Sequence, residues 1–188
     1  AIITKGVVSR ILINSGGTVT LGKNLTINDF TITTGTFAMS ANMFIAGDWS
    51  DAGTLTANTS TVTFNGSGAQ TITSGGSTFY SLVNSNTNST VSLSDAFILN
   101  GSGTLTIDNL AIFSLNGQAF NSNSGTITNN GTFQLNGDET LASATTIGGS
   151  GKTKFVDASG ATLTTGFAGL ADVEFNSTTS SLFLECTE

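Results

Sequence analysis

The sequence predicts an all-β fold, a single-domain parallel β-helix (β-solenoid), and three observations lead to it. The segment Gly17–Leu21 returns as Gly35–Met39 and again as Gly53–Ala57, at the same interval both times. Within each copy, apolar and hydroxyl side chains alternate with the period of two that marks a β-strand. A period of about 18 residues is too short for a strand, a crossover helix and their loops. Each repeat is therefore predicted to be one coil of two or three short strands joined by tight turns.

The 188 residues are predicted to form one domain of about ten coils, each of roughly 18–22 residues. Residues 1–16 are expected to form an irregular N-terminal coil, and residues 17–107 the most regular coils. Residues 108–188 are expected to form less regular coils and a C-terminal strand, because the spacing of the strand signals loosens there.

The repeat also predicts which side chains stack on one another. Val19, Phe37 and Leu55 occupy the same position in three successive copies, so they are expected to share a column in the core. A second column is expected to place Leu25 over Met43. Side chains from successive coils would then fill one dry interior.

Five Asn-Gly pairs keep an antiparallel β-sandwich open as the alternative fold. In a sandwich such pairs close two-residue hairpins, whereas in a solenoid they turn corners with positive φ. The solenoid is favoured because hairpins do not preserve a translational repeat. The pairs begin at Asn65, Asn100, Asn116, Asn130 and Asn136.

The composition argues against nucleic acid as a partner and against insertion into a membrane. Five Lys and Arg residues stand against twelve Asp and Glu, which gives a net charge of −7, and no Lys or Arg occurs between Lys23 and Lys152. Nucleic acid is not an expected partner, because binding phosphates takes clustered positive charge. Membrane insertion is not expected, since no apolar run approaches the roughly 20 residues of a membrane helix. The polar residues are mainly 33 Thr, 23 Ser and 18 Asn, which predicts a neutral, hydroxylated surface.

The sequence offers little to a catalytic centre. Histidine is absent, which removes the commonest general base, and Cys186 is the only cysteine and is interpreted as an incidental thiol. No enzymatic activity and no cofactor are expected. A polysaccharide-active β-helix remains the enzymatic alternative, and it would need two carboxylates on one sugar cleft.

Four carboxylates in two short segments are candidate ligands for a metal ion. They are Asp48 with Asp51 and Asp138 with Glu139. Carboxylates in loops are the hard oxygen ligands that Ca²⁺ takes. Neither segment matches the helical-hand calcium loop or the glycine-rich calcium nonapeptide. A solvated turn is therefore the competing interpretation of each segment.

The stretch from Ala46 to Thr73, with Ser77–Val83 and Gly103–Ile107, resembles repeats of large bacterial surface and secreted proteins. These are proteins of the adhesin and autotransporter-passenger kind. The resemblance implies a β-helical fold, extracellular or cell-surface display, and a structural or adhesive role, and it brings no catalytic residues. The chain is thus expected to be a non-catalytic segment of a bacterial surface fibre, stalk or adhesin.

The apolar, strand-like segments near both termini predict the partner. A solenoid ends in open strand edges, which must be capped, charged or paired. We therefore expect these segments to associate with copies of the chain end to end, or with neighbouring segments of a larger surface protein. The candidate residues are Ile2, Ile3, Val7, Val8, Leu182, Phe183 and Leu184.

Repeated Thr-Xaa-Thr tripeptides keep a binding function open as the alternative. Outward threonines on successive coils make a lattice that resembles the ice-binding face of some β-solenoid antifreeze proteins, although Thr favours any exposed sheet. Ice or a neutral glycan is therefore the alternative ligand. Trp49 and Tyr80 are candidates both for the core and for stacking on sugar rings, while Phe79 is predicted in the core. The candidate residues of the ice face are Thr18, Thr20, Thr54, Thr56, Thr104 and Thr106.

Overall fold

The structure, a computed structural model, describes residues 8–142, 147–156, 164–165 and 172–176. These residues form strands, turns and bends and no helix. No helix long and apolar enough to cross a membrane occurs in this part of the chain. Every strand pair in it is parallel. The predicted β-solenoid is confirmed, and the antiparallel sandwich is wrong.

Two long strands open the solenoid, and each later coil contributes one short strand to each of three faces. β1 (Val8–Leu21) pairs along its length with β2 (Leu25–Met39). Face A consists of β3 (Met43–Ile45), β6 (Thr61–Phe64), β9 (Ser81–Asn84), β12 (Thr104–Ile107), β15 (Thr126–Asn129) and β18 (Ile147–Gly148). Face B consists of β4 (Trp49–Asp51), β7 (Gln70–Thr73), β10 (Thr90–Leu93), β13 (Ile112–Ser114), β16 (Thr132–Leu135), β19 (Lys152–Phe155) and β21 (Val173–Phe175). Face C consists of β5 (Thr54–Thr56), which pairs with β2, and of β8 (Thr78–Phe79), β11 (Phe97–Leu99), β14 (Phe120–Asn121), β17 (Thr140–Ala142) and β20 (Thr164–Thr165).

The coils stack in register, so equivalent positions form columns. The predicted column of Val19, Phe37 and Leu55 is confirmed, and so is the pairing of Leu25 with Met43. About ten coils were predicted, and the described strands form nine successive levels on face B, from β1 to β21. The middle coils are the longest, because they spend their additional residues in the corners between the faces. An inward column of face A shows this, since its steps along the chain lengthen toward the middle: Leu25–Met43–Val62–Leu82–Leu105–Ile127–Ile147.

A continuous row of aromatic rings runs through the core. Adjacent ring centroids lie 4.5 to 5.7 Å apart along Phe37, Phe30, Trp49, Phe79, Phe97 and Phe120. Pairs at such distances add about 0.5–1.5 kcal/mol each to the effect of burying the rings. Trp49 is only 1% exposed, so its ring packs in the core and offers no surface for a sugar. The prediction for Phe79 is confirmed, since its side chain is fully buried.

Asparagines with positive φ hold several corners to the coil before them. Asn58, Asn116 and Asn123 have φ values of 49°, 52° and 48°, a region that Asn tolerates better than most residues. Each side-chain amide donates to a backbone carbonyl of the preceding coil, at 2.6 to 3.2 Å. The acceptors are the carbonyl oxygens of Met39, Leu93 and Leu99. The high asparagine content therefore serves the corners.

One glycine provides a direct test of how closely the coils approach. Gly103 is buried, closes a turn with the Asn100 carbonyl at 2.8 Å, and lies so near the Tyr80 carbonyl of the preceding coil that a Cβ would overlap it. Gly103→Ala is expected to lower the free energy of unfolding by about 3 kcal/mol, because two backbones must move apart. The measurement is urea unfolding followed by circular dichroism.

The matched control is Gly68→Ala. Gly68 is exposed, and a Cβ there would meet nothing within 4 Å. Its substitution is expected to leave the unfolding midpoint almost unchanged. Equal effects of the two substitutions would contradict the close approach of the coils at Gly103.

Candidate functional site

The first pair of candidate carboxylates is not brought together. Asp48 precedes β4 and is exposed, and its Oδ1 accepts a hydrogen bond from the N–H of Thr71 at 2.8 Å. Asp51 ends β4 and is buried, and its Oδ1 accepts from the N–H of Gly53 at 2.8 Å. The Asp48 carboxylate thus faces solvent and binds backbone of the next coil. The Asp51 carboxylate faces the interior and binds backbone of its own coil.

Asp51 is a buried acid of face B and is incompletely satisfied. Its Oδ2 has no hydrogen-bond partner among the described residues. Burial raises the pKa of the Asp51 carboxyl; the Ser77 hydroxyl and the Gly53 N–H oppose this, and the Asp95 carboxylate adds to it. The position is electrostatically costly for an ionised carboxylate.

The second pair is also divided, and Glu139 proves to be a structural residue. Asp138 is exposed, whereas Glu139 is 1% exposed. Oε1 of Glu139 accepts from the N–H groups of Asn136 at 2.6 Å and Gly117 at 3.1 Å, and Oε2 accepts from the N–H of Gly137 at 2.7 Å. This carboxylate therefore holds two of the predicted Asn-Gly corners, on successive coils, in place. Sequence spacing gave no sign of it, because the donors come from two coils.

No candidate metal centre is assembled in the described ranges. Within them, no three His, Cys, Asp or Glu side chains lie close enough together to hold an ion. Each of the two predicted pairs combines one exposed and one buried carboxylate. Neither pair therefore places two carboxylates across one cleft, as cleavage of a polysaccharide would require.

A buried amide network replaces apolar packing at the corner between faces A and B. Gln70 donates from Nε2 to the carbonyls of Ile45 and Gly47, at 2.9 and 2.6 Å. Its Oε1 accepts from the N–H of Gly66 at 2.9 Å and from Nδ2 of Asn86 at 3.0 Å. All four hydrogen-bonding positions of this side chain are used. The alternation of the sequence indicates this position, because Gln70 lies two residues before the buried Ile72 and therefore on the inward side of β7.

A shallow polar depression of about 660 Å³ lies along the corner between the first three coils. Lys23 is the cation among its lining residues. The side-chain oxygen of Asn24 accepts from the N–H of Asn42, and that of Asn42 accepts from the N–H of Thr61, at 3.0 and 2.9 Å. The asparagine oxygens on this surface thus hold neighbouring coils together. The lining residues are Gly22, Lys23, Asn24, Ser40, Ala41, Asn42, Thr59 and Ser60.

The six threonines proposed for an ice face lie on two separate parts of the surface. Thr18 and Thr54 flank Thr36 in one column, and Thr20 and Thr56 flank Ala38 in the next. Thr104 and Thr106 lie on β12 of face A, paired with Thr126 and Thr128 of β15. The structure therefore does not bring the six into one lattice.

The self-association candidates lie mostly outside the described residues. Val8 begins β1 and is half-buried, opposite Ile27. Ile2, Ile3, Val7, Leu182, Phe183 and Leu184 fall outside the described ranges, as does Cys186. At the edges of the described solenoid, two other core positions are open. Val19 is 41% exposed and Phe175 is 49% exposed.

Comparisons with protein-family models, with curated proteins and with solved structures find no match to this chain. The repeated coils are those of a β-helix repeat protein, as the resemblance of the sequence implied. Display on a bacterial surface stays a prediction.

The pH dependence of stability tests the burial of Asp51. The pKa of Asp51 in the folded protein lies above its ordinary value of 3.8, so the folded state binds more protons there than the unfolded state. Its contribution to stability is fully present below pH 3.8 and is lost as the pH rises through the raised pKa. Asp51→Asn is expected to abolish this loss of stability with rising pH. The variant should therefore be more stable than the unchanged protein at neutral pH.

The measurement compares the free energy of unfolding of Asp51→Asn and the unchanged protein from acid to neutral pH. The control is Asp138→Asn, at an exposed site, which should keep the pH dependence of the unchanged protein. Parallel pH profiles of the unchanged protein and Asp51→Asn would contradict this account of Asp51.

Removal of the Glu139 carboxylate tests its structural role. Glu139→Ala leaves three backbone N–H groups without their acceptor, and the expected loss is about 3 kcal/mol or more of unfolding free energy. Asp138→Ala, next to it and exposed, is expected to change the unfolding free energy by less than about 0.5 kcal/mol. Urea unfolding measures both, and a Glu139→Ala protein as stable as Asp138→Ala would refute the assignment.

Proposed function

We propose that this chain is a non-catalytic structural segment of a bacterial extracellular or cell-surface protein, a β-solenoid rod of a fibre, stalk or adhesin. The observation that carries the proposal is the unbroken core. Among the described residues, the strands of face B pair one after another from β1 to β21, and two of the candidate carboxylates, Asp48 and Glu139, hold neighbouring coils together. A rod of this kind spans distance and bears load along hydrogen-bonded ladders.

The hydroxyl-rich, weakly charged surface suits a rod that is in contact with water and with neutral polymers. Outward positions of face A are mainly threonines and serines, such as Thr61, Ser81, Thr104 and Thr126 in one column. Only 9% of the residues are charged, so the solubility of the rod rests on hydroxyl and amide groups. The neutral surface supports a structural role more directly than a role in binding charged partners.

The first test is where the chain is displayed. An antibody raised against the purified chain is expected to label intact cells that produce it, with no increase after permeabilisation. An antibody against a cytoplasmic protein of the same cells serves as the control for intact envelopes. Labelling that appears only after permeabilisation would overturn the proposed location.

The second test separates the rod from the binding and enzymatic alternatives. Purified chain is expected to give no saturable signal on an array of neutral glycans, no thermal hysteresis in ice-growth measurements, and no new reducing ends from neutral polysaccharides. Saturable glycan binding or thermal hysteresis would replace the structural role with the binding alternative. Polysaccharide cleavage would replace it with the enzymatic one.

A further inference from the structure

We propose that the β1 end of this solenoid docks onto the β21 end of a second copy of the chain, head to tail and in the parallel register of the internal coils. The inference rests on the proposed structural role and names the partner of the rod's ends. It places Val19 and Phe175 in the docking interface, a role that the sequence did not predict for either residue.

One core column is open at both edges of the described solenoid. On face B the column begins with Ile11, Phe30 and Trp49 and ends with Leu135, Phe155 and Phe175. Between them lie Ile72, Leu93 and, next in register, Leu115. The inner members are at most 1% exposed, whereas Phe175 is 49% exposed and Ile11 is half-buried. The terminal members therefore have the burial of core positions that are covered from one side only.

One edge of β1 has no strand paired to it among the described residues. This strand of 14 residues pairs, among the described residues, only with β2. In the column that Val19 opens, exposure falls from 41% at Val19 to 3% at Phe37. A strand edge of this length with apolar inward positions is a template for another parallel strand.

The formal charges of the two terminal segments favour head-to-tail docking over symmetric docking. Residues 1–23 carry Lys5, Arg10 and Lys23 and no acidic residue, a formal charge of +3. Residues 152–188 carry two lysines and five acidic residues, a formal charge of −3. Two β1 ends would therefore repel each other, as would two β21 ends, while unlike ends attract. Head-to-tail docking also continues the parallel pairing found throughout the described coils, and because it is heterologous it produces an open series of oligomers.

Sedimentation velocity of the full chain, under reducing conditions that exclude disulfides of Cys186, tests the proposal. We expect a concentration-dependent series of dimers, trimers and larger species at an ionic strength of about 20 mM, and weaker association at about 500 mM. Species that stop at the dimer would indicate symmetric docking and overturn the proposal. Monomers alone at every concentration would overturn it as well, while the structural role is judged separately by surface labelling.

Complementation between two variants tests the polarity. Val19→Glu places a carboxylate at the head, and Phe175→Glu places one at the tail. Each variant alone is expected to be monomeric, and an equimolar mixture is expected to form dimers only, because one intact head and one intact tail remain. The control is Thr87→Glu, which makes the same change in charge at an exposed position between β9 and β10 and should associate like the unchanged protein.

Folding of each variant is checked by circular dichroism and by the fluorescence of the buried Trp49. Should Phe175→Glu fail to fold, Arg10→Glu supplies an independent test, since Arg10 is exposed on β1. This charge reversal is expected to raise the dissociation constant about tenfold at low ionic strength and by less at high ionic strength. A mixture of folded variants that stays monomeric, or an Arg10→Glu protein that associates as well as the unchanged one, would refute head-to-tail docking.

Discussion

Parallel, in-register stacking of one coil on the next is the constraint on which the rest of this structure depends. Once Leu25 pairs with Met43, and Met43 with Val62, every side chain meets its equivalent from the neighbouring coils. Apolar residues fill most of the interior, and aromatic rings form a row along it. A coil alone cannot bury its apolar side, so each is stabilised mainly by the two that flank it. At the edges of the described solenoid, Val19 and Phe175 are 41% and 49% exposed.

The corners carry the polar part of the stabilisation. Tight stacking brings backbone groups of neighbouring coils within hydrogen-bond distance, where burial makes an unpaired group costly. Side-chain amides and one carboxylate satisfy them: Asn58 donates to Met39, Gln70 makes four hydrogen bonds, and Glu139 accepts three. Of the candidate carboxylates, Asp48 and Glu139 are therefore engaged in the framework. Asp51 differs, since one of its carboxylate oxygens is buried without a partner in the described structure.

The sides of the solenoid and the two edges of its described part differ in chemistry, and this difference bears on function. The sides present hydroxyl groups in columns, and the depression near Lys23 is lined by groups already bonded between coils. The edges of the described solenoid expose the apolar side chains of Val19 and Phe175, and the first and last segments of the sequence carry opposite formal charges. A rod with hydroxylated sides, and with the docking ends proposed above, is suited to building length, which is the role proposed for this chain.

The sequence by itself determined the fold class, the strand direction and the stacking of the early coils. A translational repeat too short to hold a crossover helix leaves parallel stacking as the economical arrangement, and the alternation within it separates core from surface. The tertiary structure alone decided the number of turns, because corner lengths vary without changing the strand pattern. It also decided the fate of the candidate residues. Asp48 and Asp51, close together in sequence, differ in exposure, and Glu139 meets N–H groups from two coils. Neighbours across coils are separated by a whole turn of the chain, and local sequence cannot show which of them will meet.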